Sequence, residues 1–324
     1  MKVIAIEEAV GKKIGHELTG IIPGKKENIT YLKGYVIKED DIEILKNMGK
    51  YHINILEDQA GMLHENDGAR ILGAKLCGQG IKITEPKEGK VQGLAEYQGV
   101  VISDVESIMK INLTDGLKFA TKKSYSIVAP GDRVAVASIT PLEIEEQVLT
   151  GAIAGITEPI IKVLPVIKQK IALITTGTEV YEGRIKDAFL PFLQSKLEPY
   201  GYEDLKQIIV PDDLDKITVA IDDLLAQGFE MIFLTGGMSV DADDFTLRAV
   251  KEYEGMEVVI YGSPVLPGAM FLAAYHDKQI PFIGLPAGLL RGGRSILDLI
   301  LPLLLVRQRL TKEFIAGLGD GGIA

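Results

Sequence analysis

The chain has 324 residues and a mass of 35.2 kDa, enough for two domains of ordinary size, each with its own core. With 47% hydrophobic and 25% charged residues its composition is that of a globular protein, and a net charge of −10 argues against a nucleic-acid surface. Its single cysteine, Cys77, excludes an internal disulfide or a cysteine-cluster metal site and suits a reducing compartment.

The first ten residues, MKVIAIEEAV, place Glu7 and Glu8 where a secretory segment needs an unbroken apolar run. The longest apolar stretch, 296–306, contains Asp298 and Pro302 and is too short to span a bilayer, so a cytoplasmic protein without a membrane partner is expected. The charge is uneven. Residues 1–170 carry 22 basic and 23 acidic side chains, whereas residues 171–324 carry 13 and 22. Nine of those acids fall in the window 211–244, which reads either as a solvated face or as a cation site.

In chain order, the first half predicts a smaller β-rich or mixed α+β region at 1–165, in one or two lobes. DDIEILKNMGK (40–50) reads as a short capped helix ended by Gly49, and 91–103 and 124–139 contain strand-like runs separated by Gln-Gly and Pro-Gly turns. The stretch ITEPIIKVLPVIK (156–168), with two prolines, reads as an extended connector to a second domain at 166–324.

The second half is an alternation. KIALIT (170–175) predicts a strand, followed by the loop TGTEVYEGRIKD. A helix in FLPFLQSKLEPYG (189–201) follows, with Phe189, Phe192, Leu193 and Leu197 at helical spacing, Asp187 as its cap and Gly201 past its end. QIIV (207–210) predicts a second strand. DLDKITVAIDDLLAQG then puts Ile217, Ile221, Leu224 and Leu225 on one helical stripe, and FEMIFL (229–234) predicts a third strand. Such alternation with short connections implies an α/β domain with a mostly parallel, doubly wound sheet. Further on come a helix from Phe245, a strand near Val258, a hairpin of MFLAAY and IPFIGL, a last helix over 295–310 and a loose glycine-rich tail, GLGDGGIA.

Ligands of open parallel sheets bind beyond the carboxyl ends of the strands. There the chain offers Glu179 and Asp187 after the first strand, Asp212 and Asp213 after the second, and Asp241, Asp243 and Asp244 after the third. By contrast Asp215, Asp222, Asp223 and Glu230, off the apolar stripe, read as a solvated face. The turn of Thr176, Gly177, Thr178 and Glu179 is either a phosphate cradle or a plain strand-ending turn. In LTGGMSVDADDFT, Gly236 and Gly237 allow close approach of a ligand, Ser239 adds a hydroxyl, and the acids suit Mg²⁺ or cap the next helix. LPAGLLRGGRS, with Pro286, Gly288 and Arg291 before a long helix, is either an anion site or a flexible loop. The four histidines lack metal-binding spacing, and Cys77 reads as a buried inert thiol.

TTGTEVYEGRIKD (175–187), VPDD (210–213), TGGMSVDADDFT (235–246), LPGAMF (266–271) and GLPAG (284–288), in this order, resemble the molybdopterin-binding domain of molybdenum-cofactor biosynthesis proteins, particularly the molybdopterin molybdenumtransferases. EEAVGKKIGHELT (7–19), 32–53 and GDRVAVASITPLEI (131–144) are more weakly similar to the lobes that precede that domain.

The resemblance implies the molybdopterin-binding fold and insertion of molybdenum from molybdate into an adenylylated molybdopterin with Mg²⁺. Asp244 and Asp212 would be catalytic, and Asp244, Asp241 and Glu179 would hold the metal. Thr176, Gly177, Thr178, Glu179, Asp187, Gly236, Gly237, Ser239, Pro286, Gly288 and Arg291 would hold the cofactor. It further implies a homodimer, and a molybdoenzyme or cofactor-biosynthesis protein as partner.

Departures from the family pattern favour binding over turnover. Thr178 and Ala188-Phe189 stand where the family has Asp and Ser-Asn, and Asp241 stands in place of a glycine. Pro267-Gly268-Ala269-Met270 lacks the lysine of the family's Pro-Gly-Lys-Pro, Pro286-Ala287-Gly288-Leu289 replaces Pro-Gly-Asn-Pro, and the family's C-terminal β-domain is expected to be missing. The alternative is therefore a non-catalytic carrier or sensor of molybdopterin, and a weaker one is hydrolysis of a nucleotide pyrophosphate.

Overall fold

The structure, a computed structural model, describes residues 1–20, 29–56, 59–238 and 245–323. It divides into two units, Met1–Leu164 and Pro165–Ala324.

The first unit is β-rich, with two hydrophobic clusters among the described residues. One gathers Ile6, Ile14, Ile37, Leu45 and Ile53 around the antiparallel pair Lys2–Ala5 and His52–Ile55. The helix expected there spans Asp41–Asn47. The other cluster covers an antiparallel sheet in the order Ile81–Ile83, Lys90–Ala95, Arg133–Ile139, Leu117–Thr121. Packed on this sheet is a helix that the sequence reading missed, Glu65–Leu76.

Gly68 and Gly73 weaken that helix locally, yet tertiary packing requires them. A Cβ on Gly68 would lie 3.1 Å from Ile139 Cγ1 and one on Gly73 3.0 Å from Val91 Cγ1, so the bare backbone lets the helix seat closely. Its first turn is capped by His64, whose Nδ1 accepts the Asn66 N–H at 3.1 Å, in place of the usual short polar cap. The stretch expected as a connector also behaves differently. Ile161–Pro165 is a strand of a three-stranded sheet in the first unit, and its alternate residues Ile161 and Val163 are wholly buried.

The second unit is the expected mixed α/β domain. Its elements are β1 (Ile171–Thr176), α1 (Thr178–Tyr181), α2 (Phe189–Leu197), β2 (Lys206–Val210), α3 (Leu214–Ala226), β3 (Met231–Thr235), α4 (Phe245–Glu252), β4 (Met256–Tyr261), β5 (Leu272–His276), β6 (Ile280–Leu285), α5 (Ile296–Leu305) and α6 (Lys312–Gly317). One six-stranded sheet runs in the order β2-β1-β3-β6-β5-β4. The first four strands pair in parallel and the last two are added antiparallel.

All six residues of β1 are buried because both faces are covered. Ala172 and Ile174 join Ile217, Ile221 and Leu224 of α3 and Ala249 and Val250 of α4 in one cluster. On the opposite face the buried leucines of α2 and α5 pack, and Lys196 Nζ of α2 meets Asp298 Oδ1 of α5 at 2.6 Å.

Several local expectations change. The last helix stops at Leu305, where Arg307 takes φ +55°. The tail is paired rather than loose, since Leu266 bridges Ile323 in parallel and its N–H donates to Gly322 O at 2.7 Å. Asp222 and Glu230 are also more than a solvated face. Asp222 accepts the Tyr253 hydroxyl at 2.5 Å, joining α3 to the end of α4, and Glu230 accepts the Lys170 N–H at 3.0 Å. No helix among the described residues is long and apolar enough to cross a membrane.

Candidate functional site

Because β2, β1, β3 and β6 are parallel, their carboxyl ends share one edge, and a cavity of about 520 Å³ opens there. Thr176, Glu179, Asp187, Gly236, Gly237, Pro286 and Gly288, all expected from the sequence, line it. Gly177, Thr178, Asp212 and Arg291 do not line it, and Ser239, Asp241 and Asp244 lie outside the described residues, as does Asp243.

Each strand end is shaped by a specific local interaction. At β1, Gly177 bends the chain at φ +142° and donates its N–H to Val210 O at 3.2 Å. Asp212, after β2, accepts the next N–H, that of Thr178, at 2.9 Å through Oδ2, and its own N–H donates to Thr178 Oγ1 at 3.3 Å. Asp212 thus ties the two loops together. Asp213 is the N-cap of α3, its Oδ1 accepting the Lys216 N–H at 3.0 Å.

Asp187 is the expected cap of α2. Its oxygens accept the N–H groups of Phe189 at 3.0 Å and Leu190 at 2.9 Å. Gln207 Nε2, which sequence reasoning missed, donates to Asp187 Oδ2 at 2.7 Å and to Thr175 Oγ1 at 2.9 Å. The signal available was only its place in β2, one of many polar strand positions.

The paired glycines answer a structural need first. A Cβ on Gly236, at φ +83°, would lie 2.1 Å from Thr176 O, and one on Gly237 would lie 2.7 Å from Thr246 Oγ1. The close approach they permit is of the end of β3 to the end of β1 at Gly236 and to the start of α4 at Gly237, whatever ligand follows. Here four threonines are buried: Thr175, Thr176, Thr235 and Thr246. Thr176 Oγ1 donates to Thr235 O at 3.2 Å and meets Thr246 Oγ1 at 2.9 Å. Thr235, fully buried on the cavity wall, has no hydrogen-bond partner for its Oγ1 among the described residues.

The rest of the lining is mostly apolar, with Phe189, Met238, Met270 and Leu285 prominent, and includes the cation Lys186. Lys186 has no ion pair among the described residues, and its place within GRIKD gave no separate signal. Among the described residues, Glu179 is the carboxylate on the wall whose side chain accepts no hydrogen bond. Arg291 is exposed, and the start of α5 is closed by its own capping box, where the Ser295 N–H and hydroxyl both donate to Asp298 Oδ2, at 2.8 and 2.9 Å. The Ser295 N–H at this helix start is thus already taken by Asp298. No three His, Cys, Asp or Glu side chains among the described residues come together as a metal site.

Residues 172–305 match the family model described as "Probable molybdopterin binding domain", and residues 3–57 match one described as a domain of unknown function, DUF8806. The first match agrees with the likeness to the binding domain and does not reach the narrower molybdenumtransferase family. Among curated relatives, a CinA-like protein of Petrotoga mobilis is 39% identical over 90 residues, which is 28% of this chain and 22% of that protein. Protein TK1472 of Thermococcus kodakarensis is 32% identical over 88 residues, 27% of this chain and 35% of its own length. The chain therefore spans about a fifth to a third of the relatives it matches.

A solved structure of MoaB, a molybdopterin biosynthesis enzyme of Thermus thermophilus, aligns at 19% identity with a TM-score of 0.35, over 45% of this chain and all of that one. CinA of Thermoplasma acidophilum, described as of unknown function, aligns at 19% identity with a TM-score of 0.32, over 42% and 95%. The fold assignment rests on the sheet order above.

Proposed function

We propose that the second unit binds molybdopterin or its adenylylated form in the carboxyl-edge cavity. The observation that carries this reading is the composition of that one cavity, which lies within the stretch matching the binding-domain model. Apolar walls from Phe189, Met238, Met270 and Leu285 suit a planar ring, Lys186 suits a phosphate, and the buried Thr235 hydroxyl supplies a polar group with no partner among the described residues. A volume of about 520 Å³ is within the range of small-molecule sites.

A role in binding and carrying the pterin is favoured over turnover by one observation. Asp187 and Asp212, two of the expected functional acids, already accept backbone N–H groups that shape the site. Molybdenum insertion, with molybdate as substrate, is the second reading, and Glu179 on the cavity wall supports it. A single carboxylate fits the way Mg²⁺ is commonly bound, with water and substrate oxygens filling the other positions. When bound, Mg²⁺ would polarise a phosphoryl oxygen. This chain's own residues would hold the phosphate at Lys186 and seat the ring.

Calorimetric titration of the full chain with molybdopterin and its adenylylated form, with and without Mg²⁺, tests both readings. Saturable binding weakened about tenfold or more by Lys186→Ala supports the site. Molybdate-dependent metal insertion lost in Glu179→Gln, with binding retained, supports the second reading over the first. Absence of binding by either pterin form refutes both.

A further inference from the structure

The amino edge of the second unit's sheet holds another recess, of about 500 Å³. Leu225, Phe229, Pro281 and Leu304 give it an apolar floor. Lys278, Arg307 and Arg309 line it, with Glu230 as the carboxylate of the lining and Glu257 paired to Arg309 from beside it. Residues 171–324 carry 13 basic and 22 acidic side chains, so three of the 13 cations have been gathered in one recess of an acidic unit. Local positive potential of this kind attracts anions.

Two of these cations stand where the backbone resists them. Lys278, in the turn between β5 and β6, takes φ +62°, and Arg307, just past α5, takes φ +55°. Glycine or asparagine fits the left-handed region with less strain, and a long cationic side chain kept there points to use of that side chain.

The third cation is braced. The Arg309 guanidinium lies 4.2 Å from the centroid of the Tyr275 ring, its Nη1 donates to Lys278 O at 2.8 Å, and its Nη2 lies 2.8 Å from Glu257 Oε1. Arg309 therefore fixes the turn that carries Lys278. Arg307 Nη2 meets Glu230 Oε1, whose other oxygen accepts the Lys170 N–H at 3.0 Å. Each guanidinium has five N–H donors, and these contacts leave several for a ligand. Lys278 has no ion pair among the described residues.

We propose that this amino-edge recess binds a small organic phosphate of mononucleotide size. Lys278, Arg307 and Arg309 take the phosphate, and the ring or apolar body lies on Leu225, Phe229 and Pro281. The proposal is independent of the carboxyl-edge reading, since it uses different residues at the other end of the strands.

The test is calorimetric titration of the full chain with adenosine monophosphate, inorganic phosphate and adenosine, combined with hydrogen-exchange mass spectrometry. Adenosine monophosphate is expected to bind saturably, more tightly than adenosine and less tightly at high salt. Protection is expected over 225–230, 278–281 and 304–309. Lys278→Gly and Arg307→Gly should each weaken binding about tenfold or more. Glycine suits both backbone positions, so the melting temperature should stay unchanged or rise. Lys278→Gly removes no ion pair, so it decides the matter should Arg307→Gly disturb Glu230. Three results would each overturn the proposal: no saturable binding of adenosine monophosphate or inorganic phosphate, binding untouched by Lys278→Gly, or protection confined to 175–188 and 235–238.

Discussion

At the carboxyl edge of the second unit's sheet, glycine stands where no side chain fits, as at Gly236, whose added Cβ would strike the backbone of β1. At the amino edge the reverse holds, because Lys278 and Arg307 occupy left-handed backbone that glycine would fill with less strain. The first edge uses its special backbone to bring two strand ends together around buried threonine hydroxyls. The second keeps charge at the expense of backbone comfort. A positive φ alone therefore does not say what a position is for. What a Cβ would meet there distinguishes a packing constraint from a retained side chain.

The largest effect that would test this contrast is expected from Gly236→Ala. With the new Cβ 2.1 Å from Thr176 O at φ +83°, the variant should lose about 3 kcal/mol or more of stability by denaturant unfolding. A loss under 1 kcal/mol would mean that the strand ends can separate freely.

Next in size is Asp298→Ala, which removes the capping box of α5 and the partner of Lys196, and should cost about 1–2 kcal/mol. Burial pushes the Asp298 carboxyl up, but the Lys196 ammonium and the Ser295 N–H and hydroxyl outweigh it and hold it below the usual range. Its contribution is therefore present above the ordinary carboxylate pKa near 3.8 and is lost as pH falls through the lower folded value. Melting curves between pH 2 and 7 should show a shallower acid limb in the variant.

Thr176→Val should cost about 1 kcal/mol, because it removes the hydroxyl that donates to Thr235 O and meets Thr246 Oγ1 in a buried setting. Thr235→Val, which removes a hydroxyl with no partner among the described residues, should be neutral or slightly stabilising, and should weaken ligand binding at the carboxyl edge. Equal losses in the two variants, measured by urea titration, would erase the distinction between a used and an unused hydroxyl.

Smallest is Lys278→Gly, expected to leave stability unchanged or raise it by about 0.5–1 kcal/mol through relief of left-handed strain. A clear loss in thermal melting would show that the lysine stem, rather than a waiting charge, explains the residue.

Much of the second unit was legible in the sequence, because its signals are local and mutually consistent. Ile217, Ile221 and Leu224 mark the buried stripe of α3, and uninterrupted apolar runs mark β1 and β3, which are covered on both faces. Asp187 before the apolar spacing of α2 marks its cap. In the first unit the helix Glu65–Leu76 was hidden by Gly68 and Gly73, since the reason for those glycines is contact with Val91 and Ile139, on strands 18 and 71 residues further along. The strand Ile161–Pro165 was concealed by Pro159 just before it and Pro165 at its end.

The candidate site divides in the same way. Residue type and order placed Glu179 and Asp187 after the first strand and Gly236 after the third, and parallel alternation was enough to bring these to one edge, whereas the arrival of Gly288 there depends on the parallel pairing of β6 with β3. Chain order could not show that Asp212 and Asp187 are occupied by backbone N–H groups, that the Thr235 hydroxyl has no partner among the described residues, or that Lys186 reaches the cavity. Nor could it bring Lys278, Arg307 and Arg309 around one recess. Periodicity and capping are set by neighbours within a turn or two of the chain, so the sequence by itself determined the elements and the edge. Hydrogen-bond allocation and the convergence of charges depend on groups tens of residues apart, and only the tertiary structure decided them.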